Sequence, residues 1–294
     1  MEALGAIFSN FDIRDYKAKI DKAITKNLGE SYELPIVRVK NQGSVGSCCA
    51  HALSSVVEYF NYIQHNIKTE MSVGYIYGNR TNTTHKGKGM IVRDALKMLR
   101  EHGTVTKESF PYNVEVPEAI NKFNNCYNEL HDEGALSRIS SYYGVKTESE
   151  IKSALKLKYP VVIAIEWYSD MKVINGVLTT KYKGKRGGHC MLLYGWNKKG
   201  WKVLNSWGRI WGVNGTCIIP YDMPIREAWA VVDNIKDGVV LKKPLSSSTG
   251  KHMANVINAF GNISKQIDSK VDVKTLSKRI NSKINNVAKK ILSQ

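Results

Sequence analysis

At 294 residues and 43% hydrophobic content, the chain can bury one or two substantial cores, and its length fits one or two domains. Lys and Arg outnumber Asp and Glu by 43 to 26, a net charge of +17 that points to acidic or anionic partners. No apolar run nears the ~20 residues that span a bilayer, so a membrane-crossing helix is not expected.

Residues 1–8 carry one apolar patch without a basic start or a long apolar stretch, so no secretory signal is expected there. The run Gln42-Gly43-Ser44-Val45-Gly46-Ser47-Cys48-Cys49 ends a glycine-rich loop, and Ala52, Leu53, Val56, Val57, Phe60 and Ile63 follow at helical spacing. The pattern predicts a helix from Cys48 to about Asn66, capped by the Ser47 side chain. A cysteine at a helix N-terminus meets unpaired N–H groups and the positive end of the dipole, which lower its pKa and prepare it as a nucleophile. A second helix is predicted from Ile91 to Glu101, ended by Gly103, and a shorter one over Ile151 to Leu157.

From Pro160 the apolar runs are short and β-branched, and they predict strands at 161–165, 190–196, 202–204, 215–219 and 229–235. Helices followed by strands imply an α+β fold with two lobes. Lys243 to Gly250 reads as a flexible linker. Beyond it, Leu276, Ile280, Ile284, Val287 and Ile291 recur at heptad-like spacing. Residues 240–294 hold 11 Lys/Arg against 2 Asp, about half of the net charge. Three partners fit such a tail: a protein or second copy in a coiled coil, nucleic acid or an anionic surface, or the chain's own catalytic lobes.

Five cysteines at irregular spacing form neither a C-x-x-C pair nor a zinc pattern, so a reducing compartment, no metal and no cofactor are expected. Far downstream of Cys48 lie Gly187-Gly188-His189-Cys190 and Asn205-Ser206-Trp207-Gly208. His189 stands 141 residues beyond Cys48 and Asn205 stands 157 beyond it. With Gln42 six residues before Cys48, this order and spacing resemble the papain/cathepsin family of cysteine peptidases. Arg93-Asp94-Ala95-Leu96, Phe110-Pro111-Tyr112 and Ile219-Pro220-Tyr221 extend the resemblance over roughly residues 12–236, in a form similar to bacterial and viral members.

The resemblance implies a helical left lobe and an antiparallel β-barrel right lobe, with the site in the cleft between them. It divides the chain into an N-terminal lead-in (1–34), a catalytic domain (35–236), a linker (237–251) and a basic helical tail (252–294). It implies a polypeptide substrate attacked by Cys48, with His189 as acid and base, Asn205 orienting the imidazole and Trp207 covering their hydrogen bond. Gln42 and the Cys48 N–H would form the oxyanion hole, and Gly87, Gly89 and Gly188 would line the cleft. The family's long inhibitory propeptide is not expected here, and the enzyme is expected either in a reducing cytoplasm or in a virus or phage particle. Cys49 and Cys190 depart from the family pattern, which keeps open a second reading: a catalytically silent binding or structural module of the same fold.

Overall fold

The computed structural model describes residues 3–10, 12, 15 and 28–233. The linker (237–251) and the basic tail (252–294) lie outside the described residues. Among those described, no helix is long and apolar enough to cross a membrane.

The first lobe is built around α1 (Cys48–His65), whose apolar positions turn inward as far as Phe60, while Ile63 in the last turn is exposed; it ends at Asn66 in the left-handed conformation, where the Asn66 N–H closes on Tyr62 O at 2.8 Å. Against it pack α2 (Val73–Gly78) and α3 (Val92–His102), the latter closed by Gly103 at φ +67° as its sequence implies. A 20-residue helix, α4 (Val116–Ala135), packs on α2 through a ring cluster of Tyr75, Phe110 and Phe123. Sequence reading gave no helix there. Its asparagines at 121, 124, 125 and 128 are weak helix formers, and tertiary burial of Ala119 and Phe123 overrides them.

The second lobe is a nine-stranded, mostly antiparallel sheet. Its strands are β4 (Ser141–Gly144), β5 (Val161–Tyr168), β6 (Val173–Ile174), β7 (Val177–Leu178), β8 (Arg186–Asn197), β9 (Gly200–Leu204), β10 (Thr216–Ile219) and β11 (Glu227–Val232), with β2 (Tyr32–Glu33) added on β8. They run in the order β4-β11-β5-β8-β9-β10-β7-β6, with helix α5 (Glu148–Lys156) against them. No pairing joins β4 to β6 among the described residues, so the barrel expected of this lobe is an open sheet. The central strands β5 and β8 are buried on both faces from Val161 to Ile165 and from His189 to Leu193, which explains their unbroken apolar runs.

Helix α1 lies on β8, so the two lobes meet where Cys48 begins the helix and His189 sits in the strand. Beneath this seam, Lys40 Nζ pairs with Glu58 at 2.7 Å, both buried, and Glu58 Oε1 also accepts the Met71 N–H at 2.8 Å. Lys40→Met leaves the buried Glu58 carboxylate with only the longer Arg38 pair at 3.8 Å and should destabilise the fold by about 3–5 kcal/mol. Adding Glu58→Leu should restore most of that loss in urea unfolding, and a double variant as unstable as the single one would contradict the pairing.

Candidate active site

Register brings the downstream residues together. In β5–β8, Ile165 faces His189 and Ala164 faces Cys190; in β8–β9, Leu192 faces Leu204. Asn205 therefore leaves β9 beside the His189 end of β8, and its Oδ1 lies 2.7 Å from His189 Nε2. This bond leaves Nδ1, buried and without an oxygen or nitrogen partner, to face the Cys48 thiol. Trp207 stacks on the imidazole at 4.4 Å between ring centres, and Trp167 meets both rings edge-on at 5.4 and 4.7 Å. Both His189 and Asn205 are buried beside these indoles. Trp167 escaped sequence analysis because it lies in no motif.

Gln42 is buried beside this group. Its Oε1 accepts from Ser206 Oγ at 2.6 Å, which fixes the amide so that Nε2 points toward the cleft. Nε2 donates to Val45 O and to Ala3 O, each at 2.9 Å. The Ala3 contact comes from an unforeseen occupant: residues 3–8 thread the cleft as a main-chain strand. Gly5 N donates to Gly188 O at 3.2 Å, Met90 N donates to Gly5 O at 2.7 Å, and β1 (Ala6–Ile7) runs parallel to β3 (Met90–Ile91).

The fit depends on glycines on both sides. A Cβ on Gly5 would lie 1.8 Å from Gly46 O, one on Gly89 2.5 Å from Gly5 O, and one on Gly188 1.9 Å from Ala6 O. Gly89 and Gly188 thus lie directly against the strand of residues 3–8. Gly87 does not touch the strand: a Cβ there would meet only the His85 ring. Gly46, read only as part of the nucleophile motif, is a cleft residue instead. The strand's sequence signal was the apolar patch Leu4-Gly5-Ala6-Ile7-Phe8 with a glycine inside it.

Two electrostatic expectations are corrected. Ser47 does not cap α1 with its side chain; its hydroxyl donates to Asn113 Oδ1 at 3.0 Å. The Cys48 thiol is not lowered. Burial pushes it well above its ordinary value, the Cys49 thiol beside it adds to the effect, and His189 pulls it back only in part. Cys48 is completely shielded, so the desolvation of a thiolate outweighs the helix N-terminus. Cys49 is also buried, its thiol aimed at Met90 O at 3.6 Å and in reach of Cys190.

His51, one turn into α1, is buried with Nδ1 3.0 Å from Ser47 O, and burial pushes its pKa from 6.5 down to about 3. Between these values the unfolded chain binds a proton that the folded chain refuses. Stability therefore falls as pH drops from 6.5 toward 3, by up to about 1.4 kcal/mol per pH unit. His51→Gln should flatten that part of the pH–stability curve measured by urea unfolding; an unchanged slope would contradict the assignment.

The family model described as "Papain family cysteine protease" matches residues 27–225. An uncharacterised peptidase C1-like protein of Acanthamoeba polyphaga mimivirus is 25% identical over 228 residues, covering 68% of this chain and 71% of that protein. A KDEL-tailed cysteine endopeptidase of Arabidopsis thaliana is 29% identical over 188 residues, covering 61% of this chain and only 50% of that protein. Among solved structures, Xylellain, a cysteine protease from Xylella fastidiosa, shares the fold with a TM-score of 0.69 at 23% identity, over 79% of this chain and 96% of that one. Through the match across residues 27–225, this chain belongs to the papain family of cysteine proteases.

Proposed function

We propose that the chain is an endopeptidase that hydrolyses peptide bonds through a Cys48 thioester, and that residues 3–8 hold it self-occluded. The observation that carries this reading is the peptide already lying in the cleft, with the Ala3 carbonyl on the Gln42 amide and the Cys48–His189–Asn205 group beneath it.

With the strand displaced, water reaches Cys48 and the cost of the thiolate falls. His189 Nδ1 takes the thiol proton, and Asn205 on Nε2 holds the ring in the matching orientation. The thiolate attacks the scissile carbonyl carbon, and the oxyanion is met by Gln42 Nε2 and the Cys48 N–H. Collapse breaks the C–N bond as the imidazolium gives its proton to the leaving amine. Water, deprotonated by the same imidazole, then hydrolyses the thioester and frees the carboxylate product.

The full chain should cleave an unfolded protein substrate, with new N-termini detected by mass spectrometry and none produced by Cys48→Ala. Gln42→Ala should lower kcat by about 10²–10³-fold, the effect of losing one oxyanion donor. A silent binding module of this fold would instead bind peptide without producing new termini, even with the cleft opened.

A further inference from the structure

Arg80 is completely buried, and no described carboxylate forms an ion pair with it. It sits in the short 3-10 turn Asn79–Asn82 after α2, remote in sequence from Cys48, His189 and Asn205. A cation in such a place is costly unless its surroundings satisfy it and the arrangement serves an end. Its guanidinium carbon lies over the Tyr77 ring, 3.4 Å from the ring centre. Its donors are spent on main-chain carbonyls: Nε reaches Gly87 O at 3.2 Å and Gly89 O at 3.1 Å, Nη2 also donates to Gly89 O, and Nη1 donates to Tyr77 O.

The carbonyl of Gly89 and the N–H of Met90 are the two ends of one peptide group. That group is planar and trans, so its O and H point in opposite directions. Holding Gly89 O on the guanidinium side necessarily turns the Met90 N–H the other way, and there it donates to Gly5 O at 2.7 Å. The preceding N–H, that of Gly89, faces the Tyr77 hydroxyl at 3.5 Å, so the same aromatic–guanidinium pair holds Gly89 from both sides. Glycine is needed at this point, where φ is +84° and a Cβ would strike the occupant of the cleft.

We propose that Arg80 is a positioning residue for substrate: by holding the Gly87 and Gly89 carbonyls it aims the Met90 N–H at a main-chain carbonyl of whatever peptide lies in the cleft. The inference rests on the peptidase reading and deepens it, because it assigns the recognition of backbone, independent of side chains, to one buried cation. Arginine is required for the task because its planar fork serves three carbonyls at once, whereas a lysine ammonium is a point donor.

The test compares two reagents for Cys48 in the full chain. Iodoacetamide alkylates the thiol without using the cleft edge, while a peptidyl epoxide must lay its backbone against Met90. Occlusion by residues 3–8 slows both alike, so the ratio of their second-order rate constants reports the edge alone. Arg80→Met should lower the epoxide-to-iodoacetamide ratio about tenfold or more, and Arg80→Lys should lower it less, while iodoacetamide reactivity itself holds or rises, because a misaimed Met90 N–H also loosens its bond to Gly5. Arg80→Lys, which keeps the charge, carries the test if Arg80→Met does not fold, and a threefold fall in its ratio is then the expected result. A ratio within twofold of wild type in a folded Arg80→Lys protein overturns the proposal, as does an equal fall in both reactivities, which marks a merely structural role. Wild-type Cys48 that reacts with iodoacetamide but never with the epoxide overturns the peptidase reading itself, and this inference with it.

Discussion

Gly5→Val should raise kcat/KM for a short peptide substrate by about tenfold or more relative to the wild-type chain. The reason is steric. A Cβ at position 5 falls 1.8 Å from the Gly46 carbonyl oxygen, a main-chain atom in the tight loop that leads into α1. That loop cannot withdraw without disturbing Gln42, whose amide is tied to Val45 O and Ser206. The strand must leave instead, giving up its bonds to Gly188, Met90 and Gln42. Overpacking of this severity costs about 1–3 kcal/mol, and each 1.4 kcal/mol taken from the occluded state is a tenfold gain in open enzyme. Steady-state kinetics on both proteins, with Cys48→Ala in each background, would check it. Equal rates in the two proteins would mean that residues 3–8 do not restrain the site.

The second large effect concerns His189. In the Gly5→Val background, His189→Ala should lower kcat by about 10³-fold, within the 10²–10⁴ range for loss of a general acid–base group. Both halves of the cycle lose the same imidazole: Cys48 keeps its proton, and the leaving amine receives none. The thiol should also become inert near neutral pH, since burial already raises it and His189 supplies the opposing pull. Alkylation followed across pH should therefore show a reactive thiol well below pH 8.5 with His189 present and only a high-pH rise without it. Identical profiles would show that His189 does not activate Cys48.

Much of this architecture is legible in the chain because the residues concerned obey one dominant rule each. Cys48 to His65 is a long amphipathic run, and Val161–Ile165 and Cys190–Trp196 are short β-branched or apolar runs bounded by turn residues. The juxtaposition of His189 and Asn205 follows from an antiparallel β8–β9 pair with a short turn at 198–199. Where competing forces decide, sequence alone is weaker. Helix α4 is rich in asparagine and owes its existence to Phe123 and Ala119 packing on α2. The Ser47 hydroxyl has a free choice of partners, and Asn113, 66 residues away, wins over the helix N-terminus. The rise of the Cys48 thiol follows from its burial, and the strand beside the site, with Leu4, Gly5 and Ala6 against Gly46, Gly187 and Gly188, comes from a stretch whose composition suggests only an apolar patch. Arg80 belongs to no motif, and its place is set by the carbonyls it holds.

The self-occluded arrangement links these features. In the proposed mechanism, a main-chain strand on the Met90 edge and the Gln42 amide occupies the same donors that a substrate would need, so the segment would compete for the site rather than distort it. The basic side chains of Lys181, Lys183, Lys185 and Arg186, at the start of β8 and in the loop before it, are exposed, and the loop's main chain is held by Asp170, whose carboxylate accepts the Lys183 and Gly184 N–H groups at 2.7 and 2.8 Å.

The most direct measurement is covalent labelling of the full chain with a peptidyl epoxide at neutral pH, mapped by peptide mass spectrometry in the wild type, Gly5→Val and Gly5→Val/His189→Ala proteins. A single adduct on Cys48, formed faster in Gly5→Val and absent without His189, is the result expected of an activated thiol beneath its own strand. Labelling spread over Cys126 and other thiols, or no adduct on Cys48 even with the strand evicted, would contradict it.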